Sequence, residues 1–465
     1  MSDVAVAESG FFDRAWRRVS DLWRDMAATV SREEAPPDLA DQMRACLGGR
    51  GGEISARARA ARLAQDYLSR DQAGRVEFLC TLARFDSDMD AVRAAMQRVS
   101  EAEDPAERAV AKAGLRRALE PPRIRLLTQF TSIPDGMKFL VDLRAELLRH
   151  TREDPLLRAL DHDLRGLLAS WFDLGFLELR RIDWSSPASL LERLVGYEAV
   201  HRIRTWRDLK NRLDSDRRCY AFFHPRMPAE PLIFVEVALV QGLAGSVQAL
   251  LDEKAPVLDP RGTDTAIFYS INNCQRGLDG ISFGNFLIKQ VVAELSAEFR
   301  NLKTFATLSP IPGFRRWLDT ALEQQGAALL TEEEAAAIVE ATPGTPDALA
   351  AFQAMLGRRN PLRDPLAAVA EPVLVRLCAR YLIEERSGGG QRAKDPVAHF
   401  HLSNGARVER INPRGDVSEK GLRESLGLMV NYLYDPARIE QNHEAYAGEG
   451  KRAAASALRR LAKEG

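Results

Sequence analysis

A glycine-rich turn separates a short apolar segment from a helical pattern in the middle of this 465-residue chain. Gly277, Gly280 and Gly284 follow β-forming residues at 266–271 and precede the helical pattern. Glycine has no Cβ, so the backbone of the turn can approach a bound group closely. A helix that begins there adds unpaired N–H groups and the positive end of its dipole. The pattern is typical of a site for a phosphate-bearing ligand; an ordinary loop between a strand and a helix is the alternative.

The segments on both sides of this turn support a strand–turn–helix unit. Leu287, Val291 and Leu295 recur at four-residue spacing, which predicts an amphipathic helix packed on a sheet. Another strand is expected to begin near Thr304 and to end close to Ser309, where Pro310 favours extended backbone in the preceding residue. The unit therefore needs a sheet on which to lie.

Two further strands are predicted upstream, at 219–225 and 232–239, joined as a hairpin. Glu236 interrupts the apolar run of the second strand. We expect its carboxylate to face solvent, with a position in a ligand groove as the alternative.

A histidine pair lies near the C-terminal end of the chain. Asn404 and Gly405 follow it, and this dipeptide between extended runs predicts a β-hairpin. Period-two alternation would then place His399, His401 and Ser403 on one face of a strand. Two such histidines could ligate a metal, but the surrounding sequence offers no cysteine or carboxylate cluster. We therefore predict one functional histidine and no metal site.

Composition excludes several classes of function. The chain has 65 Lys and Arg against 66 Asp and Glu, so it lacks the strong basic field typical of proteins that bind nucleic acid or anionic membranes. It contains no apolar run of about 20 residues, the length of a membrane span. Its five cysteines are scattered and never form a CxxC pair, which is typical of reduced thiols. With no basic and apolar leader and a C-terminus ending AKEG, the sequence predicts a cytoplasmic protein.

The pattern divides the chain at about residue 184. Residues 1–184 show helical periodicity without strand signals, so we predict an all-α helical bundle. Residues 185–465 alternate strand and helix patterns and predict an α+β domain, a mixed β-sheet with flanking helices. Within it, Thr331 followed by the acidic run 332–334 indicates a helix start. An apolar face in the N-terminal part predicts self-association as a dimer or tetramer; its members are Phe12, Trp16, Val19, Trp23, Met26 and Val30.

Several motifs in the second part resemble one enzyme family when they are taken together and in order. They are YEAVH at 197–201, EPLIFVEVAL at 230–239, QRGLDG at 275–280, TLSPIPGF at 307–314, HFHLSNGARVERIN at 399–412 and GLMVNYLY at 427–434. This set resembles the catalytic domain of the malonyl-CoA decarboxylase family, whose core is similar to the acetyl-CoA-binding fold of a group of N-acetyltransferases. The resemblance therefore implies an acetyltransferase-like sheet. The pyrophosphate loop of those acetyltransferases has Gln or Arg, two residues, Gly, one residue, then Gly or Ala. The spacing of Gln275, Gly277 and Gly280 departs from it and favours the decarboxylase branch.

The resemblance implies decarboxylation of malonyl-CoA to acetyl-CoA and carbon dioxide through a thioester enolate, within fatty acid metabolism. Such an enzyme must hold CoA, stabilise the enolate oxygen and deliver one proton to carbon, for which no cofactor beyond the CoA of the substrate is needed. By resemblance, Ser309 orients the carboxylate or holds the enolate oxygen, and His401 gives the proton. A histidine with a pKa near the ordinary value of about 6.5 could do so at physiological pH. The implied CoA-binding residues are Gln275, Gly277, Asp279, Gly280, Ile281, Ser282, Phe283, Gly284 and Asn285. Tyr434 and Asn431 are weaker candidates for lining the acyl pocket.

Two other functions remain open at this point. An acyltransferase could use the same CoA cradle and pass the acyl group to an amine or a carrier thiol. A non-enzymatic assembly protein could retain a CoA-type domain, although the presence of both Ser309 and His401 argues against it.

Overall fold

The computed structural model describes residues 22–26, 38–48, 52–152, 154–281, 286–345, 347–388 and 390–464. The chain forms two compact units. Unit 1 comprises 1–178, 222–232 and 273–282, and unit 2 comprises 179–221, 233–272 and 283–465. The described part of the glycine-rich turn, up to Ile281, therefore belongs to unit 1, although it lies far along the chain from the N-terminal helices.

Unit 1 consists largely of helices. The described bounds are α1 (22–26), α2 (Leu39–Leu47), α3 (Glu53–Ser69), α4 (Gln72–Ala83), α5 (Met89–Glu101), α6 (Pro105–Leu119), α7 (Pro122–Phe130), α8 (Gly136–Leu147) and α9 (Pro155–Trp171). Five of these helices start after an aspartate whose side chain accepts an otherwise unpaired backbone N–H. These aspartates are Asp38, Asp71, Asp88, Asp104 and Asp154. Capping thus fixes where the helices of the predicted bundle begin.

Aromatic side chains form one cluster within the core of unit 1. Trp23 is fully buried, its indole N–H donates to the Pro134 carbonyl at 2.9 Å, and its ring packs edge-on against Phe139 at 5.6 Å. Trp23 therefore contributes to the core rather than to a surface. Of the predicted interaction face, Phe12, Trp16, Val19 and Val30 lie outside the described residues.

Eight strands form one mixed sheet. They are β1 (Glu178–Ile182), β2 (Arg217–His224), β3 (Met227–Val240), β4 (Thr265–Asn273), β5 (Thr304–Thr307), β6 (Ser309–Pro310), β7 (Arg407–Asn412) and β8 (Met429–Leu433). Their order is β1-β2-β3-β4-β5-β8-β6, with β7 also on β8. The mixed sheet and the flanking helices confirm the α+β prediction. Strand β1 corrects the expectation that strands are absent before residue 184; its charged sequence, ELRRI, lacks an apolar alternation.

The remaining helices flank the strands. They are α10 (Ala188–Tyr197), α11 (Trp206–Arg212), α12 (Val247–Leu250), α13 (Phe286–Glu298), α14 (Phe314–Gln325), α15 (Glu332–Ala341), α16 (Ala348–Leu356), α17 (Ala367–Ile383), α18 (Pro396–Ser403), α19 (Glu419–Ser425), α20 (Ile439–Glu449) and α21 (Ser456–Leu461). Helix α13 and the start of α15 confirm two predictions, the latter through a reciprocal capping box between Thr331 and Glu334. No helix in the described ranges is long and apolar enough to cross a membrane.

The pairing of the central strands places Ser309 at the end of a ladder. Strands β4 and β5 are parallel, and their pairing ends with Phe268 opposite Thr307. Strand β8 runs antiparallel to both β5 and β6 in one continuous register, with Ala306 opposite Leu433 and Ser309 opposite Val430. Ser309 is therefore held by β8 beyond the point where β4 and β5 separate.

The histidine segment is a helix, and the predicted β-hairpin there is wrong. Helix α18 covers Pro396–Ser403, with Asp395 as its N-cap and Asn404 as its C-cap. Gly405 follows with φ +80°, the left-handed conformation common just after a helix. An Asn-Gly pair can end a helix as well as turn a hairpin, and the Asp-Pro helix start outweighed the apparent alternation.

The expectation that Glu236 faces solvent is also wrong. Its side chain is buried, and Arg212 donates to its Oε2 at 3.0 Å. Burial, together with the nearby Glu198 carboxylate, raises the pKa of Glu236 to about 8. An ionic partner on α11, far from β3 in sequence, is what allows this strand to bury a carboxyl group.

Candidate active site

Ser309 and His401 lie together, as the resemblance implied. The Ser309 Oγ is 3.1 Å from the Nε2 of His401, and both side chains are buried. Strand β6 supplies the serine and helix α18 supplies the histidine, 92 residues later in the chain. A hydroxyl and an imidazole at this distance form a hydrogen bond and can exchange a proton.

The pair is part of a longer chain of polar groups. The Ser309 hydroxyl donates to Thr307 Oγ1 at 2.8 Å, and the Tyr434 hydroxyl is 2.7 Å from His401 Nδ1. Thr307 Oγ1 also accepts the backbone N–H of Tyr432 at 3.1 Å. The Tyr432 ring stacks on the imidazole, with centroids 4.5 Å apart. Thr307 on β5 thus contacts Ser309, while Tyr432 on β8 and Tyr434 just after β8 contact His401.

The hydrogen bonds around His401 indicate which ring nitrogen carries the proton. His401 is the one hydrogen-bond partner of the buried Tyr434 hydroxyl in the described part of the molecule. Because a buried unpaired O–H is costly, we assign the Tyr434 hydrogen to the bond with Nδ1. The proton of the neutral ring then resides on Nε2 and is donated to Ser309, which donates in turn to Thr307. In this assignment the Tyr434, His401 and Ser309 protons each have an acceptor.

The surroundings keep this imidazole neutral. Burial lowers the pKa of His401 to about 3, and no carboxylate among the described residues is hydrogen-bonded to its ring. The sequence-based expectation of an ordinary pKa is therefore wrong, since it ignored desolvation. Burial also raises the pKa of Tyr434 well above its usual value, which keeps its hydroxyl protonated. The proton that His401 can offer is the one on a neutral ring.

A buried aspartate connects the two segments that carry the pair. Asp395 Oδ1 accepts the N–H groups of Val397 and Ala398 at the start of α18, at 3.0 and 2.9 Å. Its Oδ2 accepts more distantly from the N–H of Gly313 and from the Tyr381 hydroxyl, both at 3.4 Å. A Cβ on Gly313 would lie 2.0 Å from the Tyr381 oxygen, so the close approach requires glycine. Asp395 thereby helps to position both His401 and the segment after Ser309.

The side chains of His399 and Asn431 are not hydrogen-bonded to Ser309, to His401 or to the hydroxyls that contact them. The Nδ1 of His399 is 2.8 Å from the Tyr446 hydroxyl, because residues two apart on a helix point to different sides. The Asn431 amide donates to the Thr307 carbonyl at 2.7 Å, and its oxygen accepts from Asn412 at 2.9 Å. Asn431 therefore braces the strands rather than standing ready in a pocket.

The glycine-rich turn packs within unit 1. A Cβ on Gly277 would lie 1.7 Å from the carbonyl oxygen of Val141 in α8, so this glycine is required by packing. Arg144 donates to the carbonyls of Gly277 and Asp279 at 2.7 and 2.9 Å. Gln275 is buried, and its side chain donates to the Pro231 carbonyl at 2.9 Å. Much of this turn is thus held by its own unit.

The outer part of the turn is more open. Gly280 is exposed at φ +75°, and the exposed Arg165 donates to its carbonyl at 2.7 Å. The N–H groups of Asp279 and Ile281 donate within the turn. The predicted CoA-binding residues Ser282, Phe283, Gly284 and Asn285 lie outside the described residues. No group of three or more His, Cys, Asp and Glu in the described part of the chain is arranged to hold a metal ion.

Sequence reasoning missed Thr307 and Asp395. Thr307 is two residues before Ser309 in an extended segment, so period-two alternation could have placed both hydroxyls on one face. Asp395 precedes Pro396, a pair that often starts a helix. Neither signal shows that the side chain meets groups distant in sequence.

Comparison with known proteins gives consistent matches. The model of the malonyl-CoA decarboxylase C-terminal domain matches residues 175–465, and that of the N-terminal domain matches 85–172. The chain is 39% identical over 345 residues to the mitochondrial malonyl-CoA decarboxylase of Rattus norvegicus, covering 72% of this chain and 70% of the relative. Crystal structures of malonyl-CoA decarboxylase from Rhodopseudomonas palustris and Agrobacterium vitis share 42% and 41% identity. They cover 91% and 92% of this chain and 98% and 100% of their own, with TM-scores of 0.80 and 0.82.

Proposed function

The chain belongs to the malonyl-CoA decarboxylase family and decarboxylates malonyl-CoA, and we propose that Ser309 and His401 carry out the reaction. The observation that supports this most is the buried hydrogen bond of 3.1 Å between the two side chains. The enzyme is tested by incubation with malonyl-CoA and no acyl acceptor, which should give acetyl-CoA and carbon dioxide in equal amounts. Free CoA without acetyl-CoA would show thioester hydrolysis instead.

In the proposed mechanism the malonyl carboxylate leaves as carbon dioxide, and its bonding electrons form the thioester enolate. The Ser309 hydroxyl turns from Thr307 to the enolate oxygen, where a hydrogen bond stabilises the charge that develops. His401 then delivers its Nε2 proton to the carbon that has lost the carboxylate. The hydrogen bond from Tyr434 to Nδ1 stabilises the negative charge that appears on the ring as the proton leaves. The ring then regains a proton on Nε2 from water before the next turnover.

We propose that the outer part of the glycine-rich turn, around Gly280, binds the phosphates of CoA. The exposed Arg165 guanidinium next to Gly280 supports an anion site, since an arginine carries five N–H donors. The Gly280→Val variant is expected to bind CoA about tenfold more weakly, the loss equivalent to about one hydrogen bond. Calorimetric titration of free CoA measures this affinity.

Gly277→Val, in the same turn, is the comparison for Gly280→Val. The valine side chain at 277 would collide with the Val141 carbonyl, so we expect a marked fall in thermal stability. A Cβ on Gly280 would meet no atom closer than those of the Arg165 guanidinium, at 3.7 Å or more. The left-handed backbone at Gly280 adds a strain of about 1–3 kcal/mol, less than the collision at Gly277, so the Gly280 variant should fold. Unchanged CoA affinity in a folded Gly280→Val protein would exclude this turn from the binding site.

We also propose that the N-terminal helices mediate self-association. In the described structure α6 buries no side chain, and Val110 on α6 and Met96 on α5 are 71% and 54% exposed. Replacing both by lysine should give a smaller assembly by light scattering, whereas Ile54→Lys, at an exposed position of α3, should not. A wild-type protein that is monomeric at micromolar concentration would contradict the proposal. The cytoplasmic location predicted from the sequence is likewise a proposal, to be tested by cell fractionation.

A further inference from the structure

A serine hydrogen-bonded to a buried histidine can perform two different reactions on a thioester. If Nε2 lacks a proton, it can accept the Ser309 proton and make Oγ a nucleophile. If Nε2 carries the proton, it cannot activate the serine but can protonate carbon. The tautomer of His401 therefore decides between thioester hydrolysis and protonation of the enolate.

One contact in the structure favours the Nε2–H tautomer. The Tyr434 hydroxyl, 2.7 Å from Nδ1, has no other hydrogen-bond partner among the described residues and is buried with the ring. Its hydrogen therefore occupies the Nδ1 lone pair and keeps the ring proton on Nε2. The pair of Ser309 and Thr307 is compatible with this assignment, because the serine hydroxyl can donate to Thr307 Oγ1, 2.8 Å away.

We propose that Tyr434 is the positioning residue that commits this site to decarboxylation and suppresses a latent acyl-CoA hydrolase activity of Ser309 and His401. The inference rests on the proposed roles of these two residues. It gives Tyr434 a task different from lining the acyl pocket, since the hydroxyl acts through His401 and needs no contact with substrate.

The suppressed reaction uses only groups already present and water. Ser309 Oγ attacks the thioester carbonyl carbon while its proton passes to Nε2 of a His401 that is protonated on Nδ1. The carbon–sulfur bond breaks, and the CoA sulfur leaves with the proton from Nε2. Water then attacks the serine ester, gives one proton to Nε2, and the serine oxygen leaves and recovers that proton. The products are CoA and a free carboxylic acid.

Removing the phenol hydroxyl should release this reaction. In Tyr434→Phe, no hydroxyl donates to Nδ1 of His401. The Nδ1–H tautomer of the ring therefore becomes accessible. Loss of one hydrogen bond corresponds to a change in the tautomer ratio of about tenfold or more. Hydrolysis of acetyl-CoA, which has no carboxylate to lose, should therefore rise about tenfold over wild type, while decarboxylation of malonyl-CoA slows.

Two control variants distinguish an effect of the His401 tautomer from a general disturbance of the active site. Tyr432→Phe keeps the ring stacked on His401 and removes a hydroxyl that has no hydrogen-bond partner in the described structure. It should leave the ratio of acetyl-CoA hydrolysis to malonyl-CoA decarboxylation at the wild-type value. Adding Ser309→Ala to Tyr434→Phe should abolish the gained hydrolysis, since the nucleophile is lost.

The experiment measures acetyl-CoA hydrolysis and malonyl-CoA decarboxylation by chromatography of the CoA species for wild type and these variants. A folded Tyr434→Phe protein that hydrolyses acetyl-CoA no faster than wild type would overturn the proposal. If this variant does not fold, nitrogen NMR of the wild type labelled at histidine decides: a proton on Nε2 of His401 supports the proposal, and a proton on Nδ1 overturns it. If His401→Asn decarboxylates malonyl-CoA as fast as the wild type, the proposed roles of Ser309 and His401 are refuted instead. The two failures are therefore distinguishable.

Discussion

His401→Asn is expected to lower kcat for malonyl-CoA decarboxylation by about 10² to 10⁴, the usual contribution of a general acid. Ser309→Ala should lower it by about 10² to 10³, as for a lost hydrogen bond to an oxyanion. KM should change little in either variant, because these side chains act mainly on the transition state. Steady-state kinetics of purified, folded variants measures both constants.

The two effects should not add. Ser309 and His401 are joined by a hydrogen bond and act on one transition state, so the double variant should be scarcely slower than the slower single variant. His399→Asn is the matched control, since His399 lies on the same helix but contacts Tyr446. It should retain most activity. An essential His399 with a dispensable His401 would show that the role belongs to the other histidine, and normal rates in both Ser309 and His401 variants would remove the pair from catalysis.

The local pattern of the central strand–turn–helix unit was enough to predict its elements. Apolar runs and four-residue spacing gave β4 and α13, and Pro310 correctly indicated extended backbone at Ser309. These features depend on neighbours within a few residues. The family resemblance then named Ser309 and His401, which the structure brings to hydrogen-bond distance.

The helix that carries His401 shows why the local pattern can fail. Five residues of apparent alternation and an Asn-Gly pair favoured a hairpin, yet the Asp395 carboxylate caps the segment as a helix. Its second oxygen also faces the N–H of Gly313, 82 residues away. No short window of sequence contains both partners, so the role of Asp395 became visible only in the fold.

The electrostatics of the site could not be obtained from residue types either. A histidine in the sequence has an ordinary pKa until its burial and its partners are known. His401 is enclosed by Tyr432, Tyr434 and Ser309, none of which carries a negative charge to favour imidazolium. Burial is therefore the cause of its low pKa.

The protonation state of the His401 imidazole determines how kcat should depend on pH. Burial lowers the pKa of this imidazole to about 3, so it takes up a second proton only at more acidic pH than an ordinary histidine. The donor is then the neutral ring with its proton on Nε2, and its population does not change near neutrality. An imidazolium donor with an ordinary pKa of about 6.5 would instead cost about tenfold in kcat for each pH unit above that value.

The kcat of the wild-type enzyme for malonyl-CoA, measured at saturating substrate from about pH 5 to about pH 8.5, tests the central claim most directly. At the upper end of this range the two donors differ by about a hundredfold in expected rate. We predict a level profile across the range, as a neutral His401 requires. A tenfold fall per pH unit above about pH 6.5 that is present in wild type and His399→Asn but absent from His401→Asn would contradict the account, because it would identify imidazolium as the proton donor.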